Sequence, residues 1–268
     1  MIIVKEFPDR KFETKEELFT ALRENKADLI ATKKMQLKQA DSVFQVMPEV
    51  IKTDSTKAEE QTQENVNRLK AELVINTTNI MDSHSDVHLK GIWNKTVKEQ
   101  KNIYLLQEHK MTFDHIISDN VSAKVVEMKW SNLGFNYKGT TEALFFDATI
   151  DKGRNPFMFE QYSKGYVKEH SVGMRYTKLE LAINSENKYD KEEKEVWDKY
   201  FDQIVNKEQA EEQGYFWAVQ EAKVIEGSAV VKGSNHATPT ISVEAVKDTP
   251  TTEPTEVTQT IKRKLSVI

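Results

Sequence analysis

A succession of short apolar runs, rich in β-branched and aromatic residues and separated by polar or glycine-containing turns, constrains this chain more than any other feature. The runs at residues 72–81 (ELVINTTNIM), 101–109 (KNIYLLQEH), 122–130 (SAKVVEMKW) and 141–150 (TEALFFDATI) read as strands. A longer strand is expected over residues 170–184. There Val172, Met174 and Tyr176 share one parity and Leu179, Leu181 and Ile183 the other, which predicts a bulge or bend near Thr177. Residues 214–233 (GYFWAVQEAKVIEGSAVVKG) restore β character, so the core spans about residues 71–236.

Helices are expected at three places. Thr14 followed by Glu17 has capping-box spacing, and Leu18, Leu22, Leu29 and Ile30 recur at helical intervals, giving one N-terminal amphipathic helix or two. Asn155 and Pro156 read as an N-cap with proline at the first helical position, leading a helix whose face carries Phe159, Tyr162 and Tyr166. Residues 186–212 hold ten acidic residues against five lysines. This balance equals the net charge of −5, and the segment reads as a solvated helix with Trp197, Phe201 and Ile204 as its buried stripe.

The ends are more polar. Residues 52–70 contain almost no large apolar side chains and read as a linker or an exposed helix, which makes residues 1–70 a helical extension and polar linker. Residues 237–268, rich in Thr, Pro, Glu and Val, read as a flexible C-terminal tail. There is no internal repeat.

Composition narrows the chemistry. With no cysteine, disulfides, thiolate metal sites and a cysteine nucleophile are excluded. No stretch approaches about 18 consecutive apolar residues, so no membrane span is expected. No basic stripe is present either, which argues against nucleic-acid binding.

Six histidines remain to be weighed. Asp82, His84, Asp86 and His88 alternate at period two and would share one strand face as metal ligands, but such residues more often form turns. His115 and His236 have polar surroundings and are expected at the surface. His170 adjoins Ser171 on a strand, so the two point to opposite faces and make poor partners. His109 ends an apolar strand, where a residue at a cleft mouth would sit. Ser171 stands at a helix-to-strand junction with Gly173 two residues on, which would let a substrate backbone approach and leave amide N–H groups for a developing oxyanion. Glu226, within an apolar β run, needs a partner if buried: a structural ion pair, or a histidine that it orients.

Four blocks resemble, in order and spacing, the tailed-phage head-maturation (prohead) serine proteases, whose fold is similar to that of the herpesvirus assembly proteases. They are residues 81–93 (MDSHSDVHLKGIW), 105–110 (LLQEHK), 165–174 (GYVKEHSVGM) and 224–237 (VIEGSAVVKGSNHA). The resemblance spans over half the chain. It departs from the family at Gly233 and Ser234, where Pro-Ala is usual, and in the acidic segment 186–212, which looks like an insertion. The resemblance implies an α+β fold with a small, partly closed β-barrel flanked by helices and flexible arms at both ends. It implies Ser171 as nucleophile, His109 as general base and acid, and Glu226 as the group orienting His109, with Glu221 as competitor. Val172 and Gly173 are oxyanion candidates, and no metal or other cofactor is called for. Implied too is an endopeptidase inside the immature capsid in the host cytoplasm, cutting scaffolding protein, major capsid protein and itself, with its oligomeric state left open. Two rivals stand beside it: an inactive capsid-assembly protein on the same fold, and a metal-dependent hydrolase built on His84, His88 and His109.

Overall fold

In a computed structural model, which describes residues 1–37, 66–99 and 102–246, the longest strand organises the rest. This is β8 (Tyr215–Val230), and β7 (Glu169–Ile183) runs antiparallel along its whole length on one side. On its other side β2 (Asp86–His88) and β3 (Leu105–Gln107) pair in parallel at opposite ends, against Trp217–Val219 and Gly227–Ala229 respectively. Strand β4 (Ile116–Ser118) adds to β3. The second sheet is antiparallel, in the order β5 (Asn120–Lys129), β6 (Thr140–Asp151), β1 (Arg68–Thr77), β9 (Thr240–Val246).

The described residues thus form a mixed α+β structure of two sheets and no closed barrel. The sheets meet at two corners. At one, β4 leads into β5, and the Ser118 hydroxyl donates to the Thr149 carbonyl on β6 at 2.6 Å. At the other, Pro239 bridges Glu169 of β7 while its carbonyl accepts the Val74 N–H of β1 at 3.1 Å. Between the corners the sheets pack face to face so tightly that a Cβ on Gly227 would lie 2.5 Å from Phe146 and 3.1 Å from Ile75. Glycine is required there by the facing sheet. Leu73, Leu105, Leu144, Val172 and Trp217 fill the same apolar core.

The phase switch in β7 is present: its register against β8 slips between Gly173 and Met174 and on both sides of Lys178, so both parities bury their apolar residues. Helix α4 (Pro156–Ser163) starts as expected, with Asn155 Oδ1 accepting the Met158 N–H at 3.0 Å. It stops at Ser163, before Tyr166, which is exposed. The short α3 (Asn94–Glu99) lies beside β8, where Thr96 donates to the Ala222 carbonyl at 2.8 Å.

The ends depart from expectation. Residues 1–37 are packed structure and not a flexible arm. Thr14 caps α1 (Lys15–Glu24), Leu18 and Leu22 enter the main core, and α2 (Lys26–Met35) buries Lys33 against Asp86 at 2.7 Å. Glu6 accepts both the Tyr215 hydroxyl and the Trp217 indole N–H at 2.8 Å. The expected linker loses residues 68–70 to β1, and its residues 52–65 lie outside the described residues. The expected tail is ordered through residue 246: Ala237 and Thr238 are buried and β9 joins β1, while residues 247–268 lie outside the described residues.

The acidic segment is two helices, α5 (Lys191–Tyr200) and α6 (Lys207–Gln213), rather than one. Trp197 and Ile204 are buried as expected and Phe201 is half-buried, stacked on Trp197. The charge run is more than a wet face, because buried Asp190 and Glu193 receive Arg23 and Lys26 from the N-terminal helices. No helix among the described residues is long and apolar enough to cross a membrane.

Candidate active site

The turn that leaves β3 carries an unusual backbone. Glu108 and His109 both adopt left-handed conformations, with φ of 51° and 57°. Each costs about 1–2 kcal/mol for a residue with a Cβ, so the surroundings must hold the turn. They do so through β8 and the residue after it: the Glu108 N–H donates to the Ala229 carbonyl at 3.0 Å, Glu108 Oε1 accepts the Val231 N–H at 3.2 Å, and the His109 N–H donates to Ser228 Oγ at 3.1 Å. The turn re-aims the chain at the strand's end and swings the imidazole back over the β7–β8 ribbon.

There the ring meets a carboxylate. His109 Nδ1 lies 2.6 Å from Glu226 Oε1, and both side chains are nearly inaccessible to solvent. An ionised carboxylate only accepts, so the proton of this bond is on Nδ1, and the neutral imidazole then keeps its basic lone pair at Nε2. The second carboxylate oxygen, Oε2, accepts the Ser228 hydroxyl at 2.6 Å. Glu226 is therefore buried with both oxygens satisfied, as a charged group in such a place must be.

Strand register places the serine. Ser171 pairs with Ser228 and Gly173 with Glu226, and residues directly opposite on antiparallel strands share a face. Ser171, Gly173, Glu226 and Ser228 thus line one side of the ribbon, the side to which His109 is bonded. A Cβ on Gly173 would lie 1.9 Å from Glu226 Oε1, so glycine here makes room for the carboxylate, a different reason from the substrate approach expected of it. Ser171 is 6% exposed. Among the described residues its hydroxyl makes no hydrogen bond with His109: the structure joins His109 to Glu226 and puts Ser171 on their face without closing the third contact.

The alternation of the strand separates the two oxyanion candidates. The N–H of His170 points away from β8, to the Thr238 carbonyl at 3.1 Å, while Glu108 and Tyr104 bond β8 at Ala229 and Gly227, on its side away from β7. The pairs His170–Ala229 and Val172–Gly227 are therefore the non-hydrogen-bonded ones. It follows that the Val172 N–H points to the outer edge of β7, and that of Gly173 points into the ladder with β8.

The remaining candidates are dispersed. Glu221 pairs with Lys95 at 3.0 Å and takes no part in holding His109. His170 is fully buried on the opposite face from Ser171, between the Tyr162 hydroxyl at 3.0 Å and the Thr238 carbonyl at 3.1 Å, and burial lowers its pKa to about 4. Asp82 makes the turn anticipated for such residues, accepting the N–H groups of His84 and Asp86 at 2.8 and 3.0 Å. His88 is buried between Asn76 and Tyr176, far along β8 from His109, so the set His84, His88 and His109 does not assemble. No group of three potential metal ligands exists among the described residues. His115 lies on an exposed turn with Thr112 and Asp114. His236, expected at the surface, is half-buried against Phe135, with its pKa lowered by burial.

Sequence reasoning passed over Ser228. Its spacing from Glu226 was the available signal, because residues two apart on a strand share a face. No protein-family model, curated protein or solved structure matches this chain, so the convergence of His109, Glu226 and Ser228 on the face that carries Ser171 is what a functional reading has to rest on.

Proposed function

We propose that the chain is a serine endopeptidase of the prohead-maturation type, with Ser171 as nucleophile, His109 as base and acid, and Glu226 orienting the imidazole. The observation that carries this reading is the buried His109–Glu226 bond, held on the same ribbon face as Ser171 by residues far apart in sequence. A serine hydroxyl attacks a peptide carbonyl at neutral pH only if an imidazole takes its proton. That imidazole works best with its other nitrogen fixed in one tautomer by a carboxylate, which also stabilises the imidazolium formed.

In this reading Ser171 Oγ bonds to the scissile carbonyl carbon while its proton passes to His109 Nε2. The outward Val172 N–H faces the developing oxyanion. Collapse of the tetrahedral intermediate expels the amine, protonated by His109, and leaves an acyl-enzyme. Water, deprotonated by the same imidazole, then bonds to the acyl carbon, and the ester bond to Ser171 Oγ breaks as His109 returns the proton to that oxygen and the acid leaves. The two-sheet arrangement, joined at the β4–β5 and Pro239 corners, is taken as a partly opened version of the herpesvirus-protease barrel. The substrates would be scaffolding and major capsid protein extensions and the chain itself, inside the immature capsid in the host cytoplasm.

Fluorophosphonate labelling tests this. The wild-type chain should become modified at Ser171, as read by peptide mass spectrometry, and should cleave itself. A folded chain that takes up no label and stays intact would instead be the assembly protein without activity.

A further inference from the structure

We propose that Ser228 is a positioning residue of this site, tying the carboxylate and the histidine-bearing turn together through a single hydroxyl. The inference rests on the protease reading above. Ser228 is completely buried and lies directly across β7–β8 from Ser171. A serine hydroxyl has one proton to give and lone pairs to receive, and both functions are used. The proton goes to Glu226 Oε2 at 2.6 Å, and a lone pair takes the His109 N–H at 3.1 Å.

Each bond controls a different coordinate of the imidazole. The first fixes the rotation of the Glu226 carboxylate, and hence where Oε1 sits for His109 Nδ1. The second anchors the backbone of His109 itself, in a left-handed conformation that the chain would otherwise leave. Backbone and ring are thus referenced to one atom on β8, opposite the nucleophile. Without the hydroxyl, the bonds to Oε2 and to the His109 N–H are lost together, and the imidazole can drift by the fraction of an ångström that matters for proton transfer.

A buried serine could also serve packing alone, so the test compares isosteric side chains. Labelling rates are measured for the wild type and for Ser228→Ala, Ser228→Thr and Ser228→Val, with folding followed by circular dichroism. Ser228→Ala should label about ten- to a hundredfold more slowly, as expected for loss of a hydrogen bond to a charged group. Threonine and valine add the same methyl bulk, so any packing strain cancels in their ratio. Threonine should outpace valine by about tenfold or more. Equal rates for Thr and Val, or an Ala variant as fast as wild type, overturn the role of Ser228 while leaving the protease reading intact. A wild-type chain that never labels overturns the protease reading and this inference with it.

Discussion

Twice along the β7–β8 ribbon a histidine, a carboxylate and a hydroxyl meet, and the two meetings differ in what the carboxylate already holds. Near one end of β8, Asp86 takes Lys33 Nζ at 2.7 Å and the Tyr176 hydroxyl at 2.7 Å, and that same tyrosine hydroxyl lies 3.1 Å from His88 Nε2. Near the other end, Glu226 takes the imidazole of His109 directly, and its second oxygen takes only a neutral hydroxyl. A carboxylate already neutralised by an ammonium has little left to offer a forming imidazolium, and the ammonium repels it. A carboxylate bonded directly to the imidazole, with no ammonium beside it among the described residues, has its charge to offer the ring. The first arrangement can fasten the N-terminal helices to the sheet, and the second is suited to moving a proton.

The largest expected effect separates the two outright. Ser171→Ala should abolish self-cleavage and reduce serine labelling to background while melting close to the wild type, because it removes one oxygen from a residue with no side-chain partner among the described residues. Next comes the carboxylate. Glu226→Gln keeps the shape but can hold the wrong tautomer, and should slow labelling by about 10³–10⁴-fold. Glu221→Gln, which loosens solvent-exposed contacts to Lys95 and Thr177 away from His109, should change it less than about twofold. Equal effects from the two glutamines would place the orienting group elsewhere.

Lys33→Met addresses the other region. Burial works against its charge, but Asp86 and Glu6 outweigh that and raise its pKa. Without the ammonium those buried carboxylates lose the cation between them, and urea denaturation should show a loss of about 3–5 kcal/mol. Below the melting transition the labelling rate should hold. A Lys33→Met protein that is stable but slow would show that the two clusters are coupled along the ribbon.

What could be read from the sequence was local. Alternation and β-rich composition located β1, β5, β6, β7 and β8, the parity change in β7 marked its bulges, and Asn155 with Pro156 marked the start of α4. What could not be read was non-local. Nothing in the polar helix α2 says that Lys33 will find Asp86 fifty-three residues away. Strand β9 (TISVEAV) alternates Ile241, Val243 and Ala245 with polar residues but is only seven residues long and stands in a Thr- and Pro-rich stretch, and what fixes it is the edge that β1 offers. The same limit applied within the site: residue types nominated Ser171, His109 and Glu226, but only register showed that Gly173 makes room for Glu226 and that Ser228 lies across from Ser171.

A third histidine sharpens the comparison with the smallest effect. His170 has a hydroxyl and a carbonyl as partners, from Tyr162 and Thr238, but no carboxylate among the described residues. Burial holds its pKa down to about 4, below the ordinary value of 6.5, with the bond to Thr238 opposing weakly. The sign follows from proton uptake: between these values the unfolded chain binds a proton that the folded chain refuses. Its contribution to stability is therefore complete above about pH 6.5 and is lost as pH falls toward 4, at most roughly 3 kcal/mol in all. Urea midpoints measured from pH 7.5 to 4.5 should decline for the wild type, and the slope should be shallower in His170→Gln, whose side chain does not titrate. An unchanged slope would mean that His170 is protonated in the fold without a carboxylate beside it, and would remove the distinction between this histidine and the one at position 109, whose ring is bonded to Glu226.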